Sequence, residues 1–258
     1  MTLRNHATDH YDTVFIIDKY QRKEEEKISK LNDLKERKLF NFGYTLLDDM
    51  IDSYNKNKKD TNEKTVLIAP SWQKDNIIDL CLDEILSKLK GHDYKVIVRP
   101  HPQHVRHMKE KFDNLKEQFK DDKTIEIQTD FSSNDTVFNA SLLISDWSGI
   151  AYEYAYTTKK PVLFINSPMK VMNPEYEKIE PKPFDIWIRS EIGEELELKD
   201  INKIDKVVEK MFKDKDKYSK KITEIVNDSV YNIGNSGEEG AKYIIKQIQD
   251  KVQERRNG

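Results

Sequence analysis

The sequence predicts an α/β protein built on a doubly wound parallel sheet. Short, apolar, β-branched segments alternate along the chain with longer segments whose apolar residues recur at helical spacing. Strands that alternate with helices are joined by crossover connections, which place them parallel in one sheet covered on both faces. Most strand segments end at Pro, Asp, Asn or another polar residue, as expected where a buried strand leaves the sheet.

The first part of the chain has a strand–helix–strand–helix pattern. The predicted strands are TVFII (13–17) and KLFNFG (38–43), and the predicted helices cover 19–37 and 44–54. The all-polar segment 55–64 is predicted to be a linker or a long surface loop. This part, residues 1–60, is too small to form a domain by itself. Residues 61–258 are predicted to form one α/β domain.

A regular alternation begins at residue 65. The predicted strands are TVLIAP (65–70), YKVIVRP (94–100), TIEIQ (124–128), SLLISD (141–146) and PVLFIN (161–166). The predicted helices cover 74–90, 102–120, 132–139 and 148–158; then 168–198 is predicted to be loops with a minor strand, and 200–226 and 237–254 helices. This order indicates a Rossmann-like domain.

The composition excludes several classes of protein. The formal net charge is −3 although 35% of the 258 residues are charged. The chain therefore lacks the basic excess of a nucleic-acid-binding protein. Cys81 is the single cysteine, which rules out an internal disulfide and favours a reducing compartment. With no signal peptide and no long apolar run, we expect a cytoplasmic protein that contacts a membrane at most peripherally.

The residues that follow the strands are the candidate ligand-binding residues, since ligands bind beyond the carboxyl ends of parallel strands. Ser71 and Trp72 follow the strand at 65–70, and Trp72 is suited to wall a pocket or to stack on a base. Arg99 ends the next strand, where it either points into the same cleft or pairs beside the strand.

The segment SDWSGIAYE (145–153) carries the strongest candidate site. Ser148 is placed to cap the helix that follows, and its hydroxyl with the N–H groups of Gly149 and Ile150 would form an anion site at a positive helix end. Gly149 has no Cβ, so a phosphate can approach the backbone closely. With Asp146 before this turn and Glu153 within reach of a ribose diol, the pattern fits a nucleoside diphosphate. The alternative is an ordinary capped helix with an exposed glutamate.

His101 is the candidate catalytic residue. Pro100 and Pro102 flank it directly after a strand and restrict its backbone, so its side chain is suited to donate to a phosphate or to transfer a proton. His104 and His107 lie three residues apart, but no cysteine or carboxylate completes a ligand set, so neither a metal nor a cofactor is predicted.

A second capped helix start is predicted near the end of the chain. Asn235 and Ser236 directly precede the last predicted helix. The segment either binds phosphate or only begins the helix.

These segments together resemble the CDP-glycerol glycerophosphotransferase family, teichoic-acid and capsule polymerases of the GT-B glycosyltransferase fold. The resemblance lies in the order of APSW (69–72), RPHP (99–102), SDWSG (145–149), KKPVLF (159–164) and NIGNS (232–236). FGYTLLDDM (42–50) is similar to the family's link between its two lobes, although it lacks the Pro and Arg of that link. Asn232 also stands where the family often has Asp.

The resemblance implies the C-terminal, nucleotide-binding half of a GT-B fold with a short N-terminal strand–helix extension. Residues 1–60 would then be the remaining edge of the N-terminal lobe and its linker. It further implies a CDP-glycerol or CDP-ribitol donor and transfer of the alditol phosphate to a polymer hydroxyl at the inner face of the bacterial cell membrane. It implies no bound metal.

No segment matches the His-Gly-Thr stretch of the family's N-terminal lobe. Whether the chain is active alone or needs a partner N-terminal lobe is therefore open. Two alternatives remain. One is another NDP-sugar enzyme, such as a glycosyltransferase or an epimerase. The other is a non-catalytic nucleotide-binding module, either a remnant or one subunit of a split transferase.

Overall fold

The computed structural model describes residues 6–58, 63–179 and 182–257. The strands are β1 Thr13–Ile16, β2 Lys38–Asn41, β3 Thr65–Ile68, β4 Lys95–Val98, β5 Ile125–Ile127, β6 Leu142–Ser145, β7 Val162–Asn166 and β8 Gly193–Glu197. The helices are α1 Lys19–Leu31, α2 Thr45–Asn57, α3 Ile77–Leu80, α4 Leu82–Leu89, α5 Pro102–His107, α6 Lys109–Phe119, α7 Asp135–Asn139, α8 Ile150–Thr158, α9 Phe184–Trp187, α10 Arg189–Ile192, α11 Ile204–Lys213, α12 Lys215–Ser229 and α13 Ser236–Asn257. Short 3-10 helices occur at Tyr176–Lys178 and Leu198–Lys203.

Contacts divide the described residues into two compact units. The first unit contains the described chain up to Ser53, the described residues between Met172 and Phe184, and those from Ile225 onward. The sheet unit contains the described residues of 54–171 and of 185–224. The predicted division at residue 60 placed the last helix with the larger domain, whereas contacts group α13 with β1 and β2.

The sheet unit is built on six parallel strands in the order β5-β4-β3-β6-β7-β8. All four residues of β6 are buried, as expected for a central strand covered on both faces. Each strand predicted between residues 65 and 166 is present, and β8 lies in the region predicted to hold a minor strand. The predicted doubly wound α/β sheet is confirmed.

Several predicted helices are interrupted or shorter in the structure. The helix predicted over 74–90 is divided at Cys81, whose φ of −154° breaks the helical hydrogen-bond ladder. The helix predicted over 102–120 is divided in the same way at Met108, with φ −129°. The helix predicted over 19–37 ends at Leu31. The predicted linker 55–64 is helical as far as Asn57, and its residues 59–62 lie outside the described residues.

The first unit is held together by an aromatic cluster. β1 and β2 pair in parallel, and Phe15 and Phe40 lie on them with ring centroids 5.2 Å apart. Tyr243 of α13 stacks on Phe40 at 4.3 Å. Gly240 lets α13 approach closely, because a Cβ there would lie 2.5 Å from the ring of Phe42. These contacts explain why the last helix groups with the first two strands.

In the part of the chain that the structure describes, the helices lack the combination of length and apolar character required to cross a bilayer.

Candidate functional site

Asp146 fixes the loop geometry at the carboxyl edge of the sheet unit. It follows β6 and is 1% exposed. Its Oδ1 accepts a hydrogen bond from the N–H of Ser71 at 2.7 Å, and its Oδ2 accepts one from the N–H of Ile77 at 3.4 Å. Burial raises the pKa of this carboxyl group, and the backbone hydrogen bonds act in the opposite direction. The carboxylate therefore ties the β3–α3 loop to the end of β6, using both oxygens.

The start of α8 presents unused backbone donors. The N-cap is Gly149, one residue after the predicted cap Ser148, and no side chain caps this helix end. The Ser148 carbonyl accepts from the N–H of Ala151 at 3.2 Å. Among the described residues, the N–H groups of Gly149 and Ile150 have no acceptor. Such donors at a positive helix end are suited to an anion.

The space in front of Gly149 is open. A Cβ built on Gly149 would meet no atom within 4 Å, and its φ of −59° is one that any residue adopts. Glu153 lies in the first turn of α8 and is partly buried. Gly149 is thus required neither by backbone strain nor by close packing, and it leaves room for a ligand.

Trp72 lies against three histidines from α5 and its N-cap. Its ring centroid is 6.4 Å from that of His101, 4.8 Å from that of His104 and 5.5 Å from that of His107. His104 is fully buried, and both of its ring nitrogens lack hydrogen-bond partners among the described residues. Burial lowers its pKa to about 4, so the ring is neutral at neutral pH. His104 therefore acts as an apolar support for Trp72, which is 39% exposed.

His101 is held as a hydrogen-bond donor. It is the N-cap of α5, and its Nδ1 accepts from the N–H of Gln103 at 3.2 Å. In the neutral ring the proton is therefore on Nε2. Partial burial, and after it the charge of Lys170, lowers the pKa of His101, which favours this neutral form. The exposed ring thus directs an N–H donor, rather than a positive charge, to the carboxyl edge.

Arg99 pairs beside its strand, one of the two placements that the sequence left open. Its Nη1 donates to Gln128 Oε1 at 3.1 Å and to the Ser133 carbonyl at 3.0 Å. The guanidinium also lies 5.3 Å from the ring centroid of Phe131. These contacts link β4 to the β5–α7 connection.

Asn235 and Ser236 belong to the first unit. The Ser236 N–H donates to Asp48 Oδ2 at 3.0 Å, and its Oγ accepts from the N–H of Tyr44 at 3.0 Å. The Asn235 N–H donates to the Asn232 carbonyl at 2.8 Å. The N–H groups of both candidate residues are therefore used within the protein.

Sequence reasoning missed two cations at this edge of the sheet unit. Lys170 follows β7, and its Nζ donates to the Trp72 carbonyl at 3.5 Å. Because Lys170 follows the carboxyl end of a strand, the rule that ligands bind beyond strand ends could have identified it. Arg189 is fully buried, with its guanidinium 4.0 Å from the ring centroid of Trp147 and 4.7 Å from that of Phe164. No motif surrounds Arg189, so only the structure reveals it.

The described residues contain no group of three or more His, Cys, Asp or Glu side chains placed to hold a metal ion.

The six-stranded parallel sheet flanked by helices is the kind of α/β fold found in GT-B glycosyltransferases. The chain belongs to the CDP-glycerol:poly(glycerophosphate) glycerophosphotransferase family, whose model matches residues 4–232. No curated protein matches the sequence.

Solved structures agree on the fold. The wall teichoic acid polymerase TagF superposes with a TM-score of 0.53 at 16% identity, covering 98% of this chain and 61% of that one. A TagF variant soaked with CDPG gives 0.55 at 17% identity, covering 98% and 60%. A glycosyltransferase from Rickettsia africae gives 0.53 at 14% identity, covering 95% and 65%.

A UDP-GlcNAc 2-epimerase from Methanocaldococcus jannaschii gives a TM-score of 0.50 at 18% identity, covering 86% of this chain and 58% of that one. The chain spans about three-fifths of the length of the TagF chains.

Proposed function

We propose that the chain binds a CDP-activated alditol and serves as the donor-binding part of a transferase that passes glycerol phosphate to a hydroxyl of a cell-surface polymer. The observation that carries the proposal is the start of α8. There the N–H groups of Gly149 and Ile150 have no acceptor in the described chain, and the space in front of Gly149 is open. Family membership and the CDPG soaked into the TagF variant support a nucleotide donor.

We place the donor at the carboxyl edge as follows. Its diphosphate would accept from the N–H groups of Gly149 and Ile150 at the positive end of α8. Its ribose would lie one turn further on, at Glu153. Trp72, partly exposed after β3, offers an aromatic face for the base.

His101 would stabilise the charge that develops on the leaving group. β4 and β6 both neighbour β3, so the residues that follow them lie at one edge, about 10 Å apart. The acceptor hydroxyl attacks the glycerol-bearing phosphorus and releases its proton to solvent, the bond from that phosphorus to the bridging oxygen breaks, and CMP leaves with the electron pair. The Nε2–H of His101, the charge of Lys170 and the start of α8 would stabilise the negative charge.

Thermal unfolding with CDP, CDP-glycerol, UDP and UDP-GlcNAc in parallel tests this proposal. A true ligand at ~100 times its dissociation constant stabilises the fold by about 2.7 kcal/mol. We expect CDP and CDP-glycerol to raise the melting temperature and the two uridine nucleotides to have little effect. A larger shift with UDP-GlcNAc would instead support another NDP-sugar enzyme. No shift with any nucleotide would overturn the proposal.

A further inference from the structure

A second pocket opens in the sheet unit, at the opposite edge from the candidate nucleotide site. Its volume is about 620 Å³, and its walls include Ser141 and Pro161, which precede β6 and β7. The candidate nucleotide site follows the carboxyl end of β6. Because the two sites lie at opposite ends of the same strand, one ligand of nucleotide size does not fill both.

Positive charge dominates the lining of this amino-edge pocket. Lys58, Lys159, Lys160 and Lys215 line it, together with the carboxylate of Asp216. Within the described residues, none of these four lysines forms an ion pair with an acidic side chain. Some lysines elsewhere in the sheet unit do have acidic partners, for example Lys95 with Glu126 and Lys210 with Glu194. The pocket therefore holds an excess of unneutralised cations.

Backbone carbonyls hold two of these ammonium groups in place. Lys160 Nζ donates to the Ala140 carbonyl at 2.7 Å and to the Phe138 carbonyl at 3.2 Å. Lys159 Nζ donates to the carbonyl of Tyr156. Each ammonium has three donors, so Lys159 keeps two for a ligand and Lys160 keeps one.

Burial lowers the pKa of Lys159 and of Lys160 to about 8. The charged forms of these amines are thus poorly solvated, and a bound anion would stabilise them.

The rest of the lining suits a ligand that carries an uncharged portion next to its charged group. The Tyr54 ring lies 5.7 Å from Lys58 Nζ and 5.8 Å from Lys160 Nζ, and its centroid is 6.0 Å from that of Phe138. α12 begins at Lys215, so the positive end of its dipole adds to the field of the lysines. An aromatic wall beside a cationic wall fits a phosphate joined to a small carbon skeleton.

We propose that the amino-edge pocket is an anion-binding site for a small, soluble phosphate mono- or diester, such as a polyol or sugar phosphate. The phosphate contacts Lys159 and Lys160, and the carbon skeleton lies against Tyr54. The volume lies within the range of small-molecule sites, about 300–1,000 Å³, and leaves room for more than a phosphate group. The proposal is independent of which nucleotide, if any, binds at α8.

Site-resolved acetylation tests the proposal. Acetic anhydride reacts with neutral amines, and mass spectrometry reports the rate at each lysine. Inorganic phosphate and glycerol 3-phosphate at saturation should slow the reaction of Lys159 and Lys160 by about tenfold or more. Lys206, an exposed lysine of α11, is the control and should react at an unchanged rate. Equal protection of Lys206, or no protection of the pair, would overturn the proposal.

Variants separate this site from the nucleotide site and from lipid binding. Lys159→Gln should weaken glycerol 3-phosphate binding by about tenfold, which is ~1.4 kcal/mol, whereas Lys206→Gln should not. If Lys159→Gln unfolds the chain, Lys215→Gln at an exposed position replaces it. Gly149→Val, which blocks the α8 site, should keep the protection.

Vesicles of phosphatidylcholine and phosphatidylglycerol test whether a lipid headgroup, rather than a soluble phosphate, occupies the pocket. We expect them to leave Lys159 and Lys160 unprotected. Protection by these vesicles without protection by either soluble phosphate would refute the soluble-ligand inference.

Discussion

The carboxylate of Asp48 accepts a hydrogen bond from the backbone N–H of Ser236 at 3.0 Å, although the two residues are 188 positions apart in sequence. The same carboxylate accepts from the N–H of Gly234 at 2.6 Å. Gly43 lies beside them at φ 98°, and a Cβ there would be 2.3 Å from Ser236 Oγ. The segments 42–50 and 232–236, which carry part of the family resemblance, are therefore structural partners within the first unit.

Replacing Asp48 should destabilise the chain. Asp48→Ala removes the acceptor for two N–H groups at the start of α13, and loss of a helix cap costs about 0.5–2 kcal/mol. Urea denaturation followed by circular dichroism measures the change. The matched control is Asp49→Ala, one position along the same helix at an exposed site. Equal stability of the two variants would contradict the capping role of Asp48.

Gly149→Val should separate folding from nucleotide binding. The open space around Gly149 and its ordinary backbone angles accept a larger side chain, so the melting temperature should stay within a few degrees of the wild type. An isopropyl group would occupy the place proposed for the phosphate, and the thermal shift with CDP should disappear. Gly149→Ala provides a graded comparison with a smaller loss. Normal CDP binding by Gly149→Val would contradict the proposed phosphate site at the start of α8.

Glu153→Gln tests the proposed ribose contact. The amide keeps the size of the side chain and removes its charge, so the charge-assisted hydrogen bond to a ribose hydroxyl is lost. We expect CDP binding to weaken by about 1.5–3 kcal/mol with little change in melting temperature. Isothermal titration calorimetry gives the dissociation constant. Glu117→Gln, at an exposed position of α6, is the control. An unchanged affinity for Glu153→Gln would leave the glutamate without a role in ribose binding.

Burial of His104 should make the fold sensitive to acid. Its pKa is lowered from 6.5 to about 4, so above about pH 6.5 the ring is neutral in both the folded and the unfolded chain. Below that pH the unfolded chain takes up a proton that the folded chain excludes. Stability should therefore fall by up to about 1.4 kcal/mol per pH unit until about pH 4.

Urea denaturation at several pH values between 7 and 4 measures this dependence. His104→Leu should reduce the slope, because the buried titrating group is gone. His107→Leu makes the same change at an exposed neighbour and should keep the wild-type slope. Identical slopes in all three proteins would assign the acid sensitivity to other groups.

The strand pattern was predictable because it rests on short-range physics. Short apolar runs such as 65–68 and 142–145 have to be buried on both faces, and this requirement is readable from the local sequence alone. The breaks at Cys81 and Met108 were not predictable. Each is a single residue with non-helical angles inside a segment whose apolar spacing continues, so periodicity does not reveal it.

The candidate site was predictable where it follows strand ends. That rule located Ser71, Trp72, His101 and Gly149 at one edge of the sheet unit. It did not show that both Asp146 oxygens are used by loop N–H groups, because those partners lie up to 75 positions away in sequence. Arg189 was missed for the same reason: its aromatic neighbours are Trp147, which follows β6, and Phe164, which lies within β7.

The two outermost strands of the sheet disfavour edge-to-edge pairing between neighbouring molecules. β5 is only three residues long, and β8 is rich in glutamate. On these strands Glu126 pairs with Lys95, and Glu194 pairs with Lys210. An exposed strand edge invites pairing with the edge of another molecule, and short, charged edges discourage it. Polymeric growth of the sheet from one copy to the next is therefore disfavoured, even though its central strands are strongly apolar.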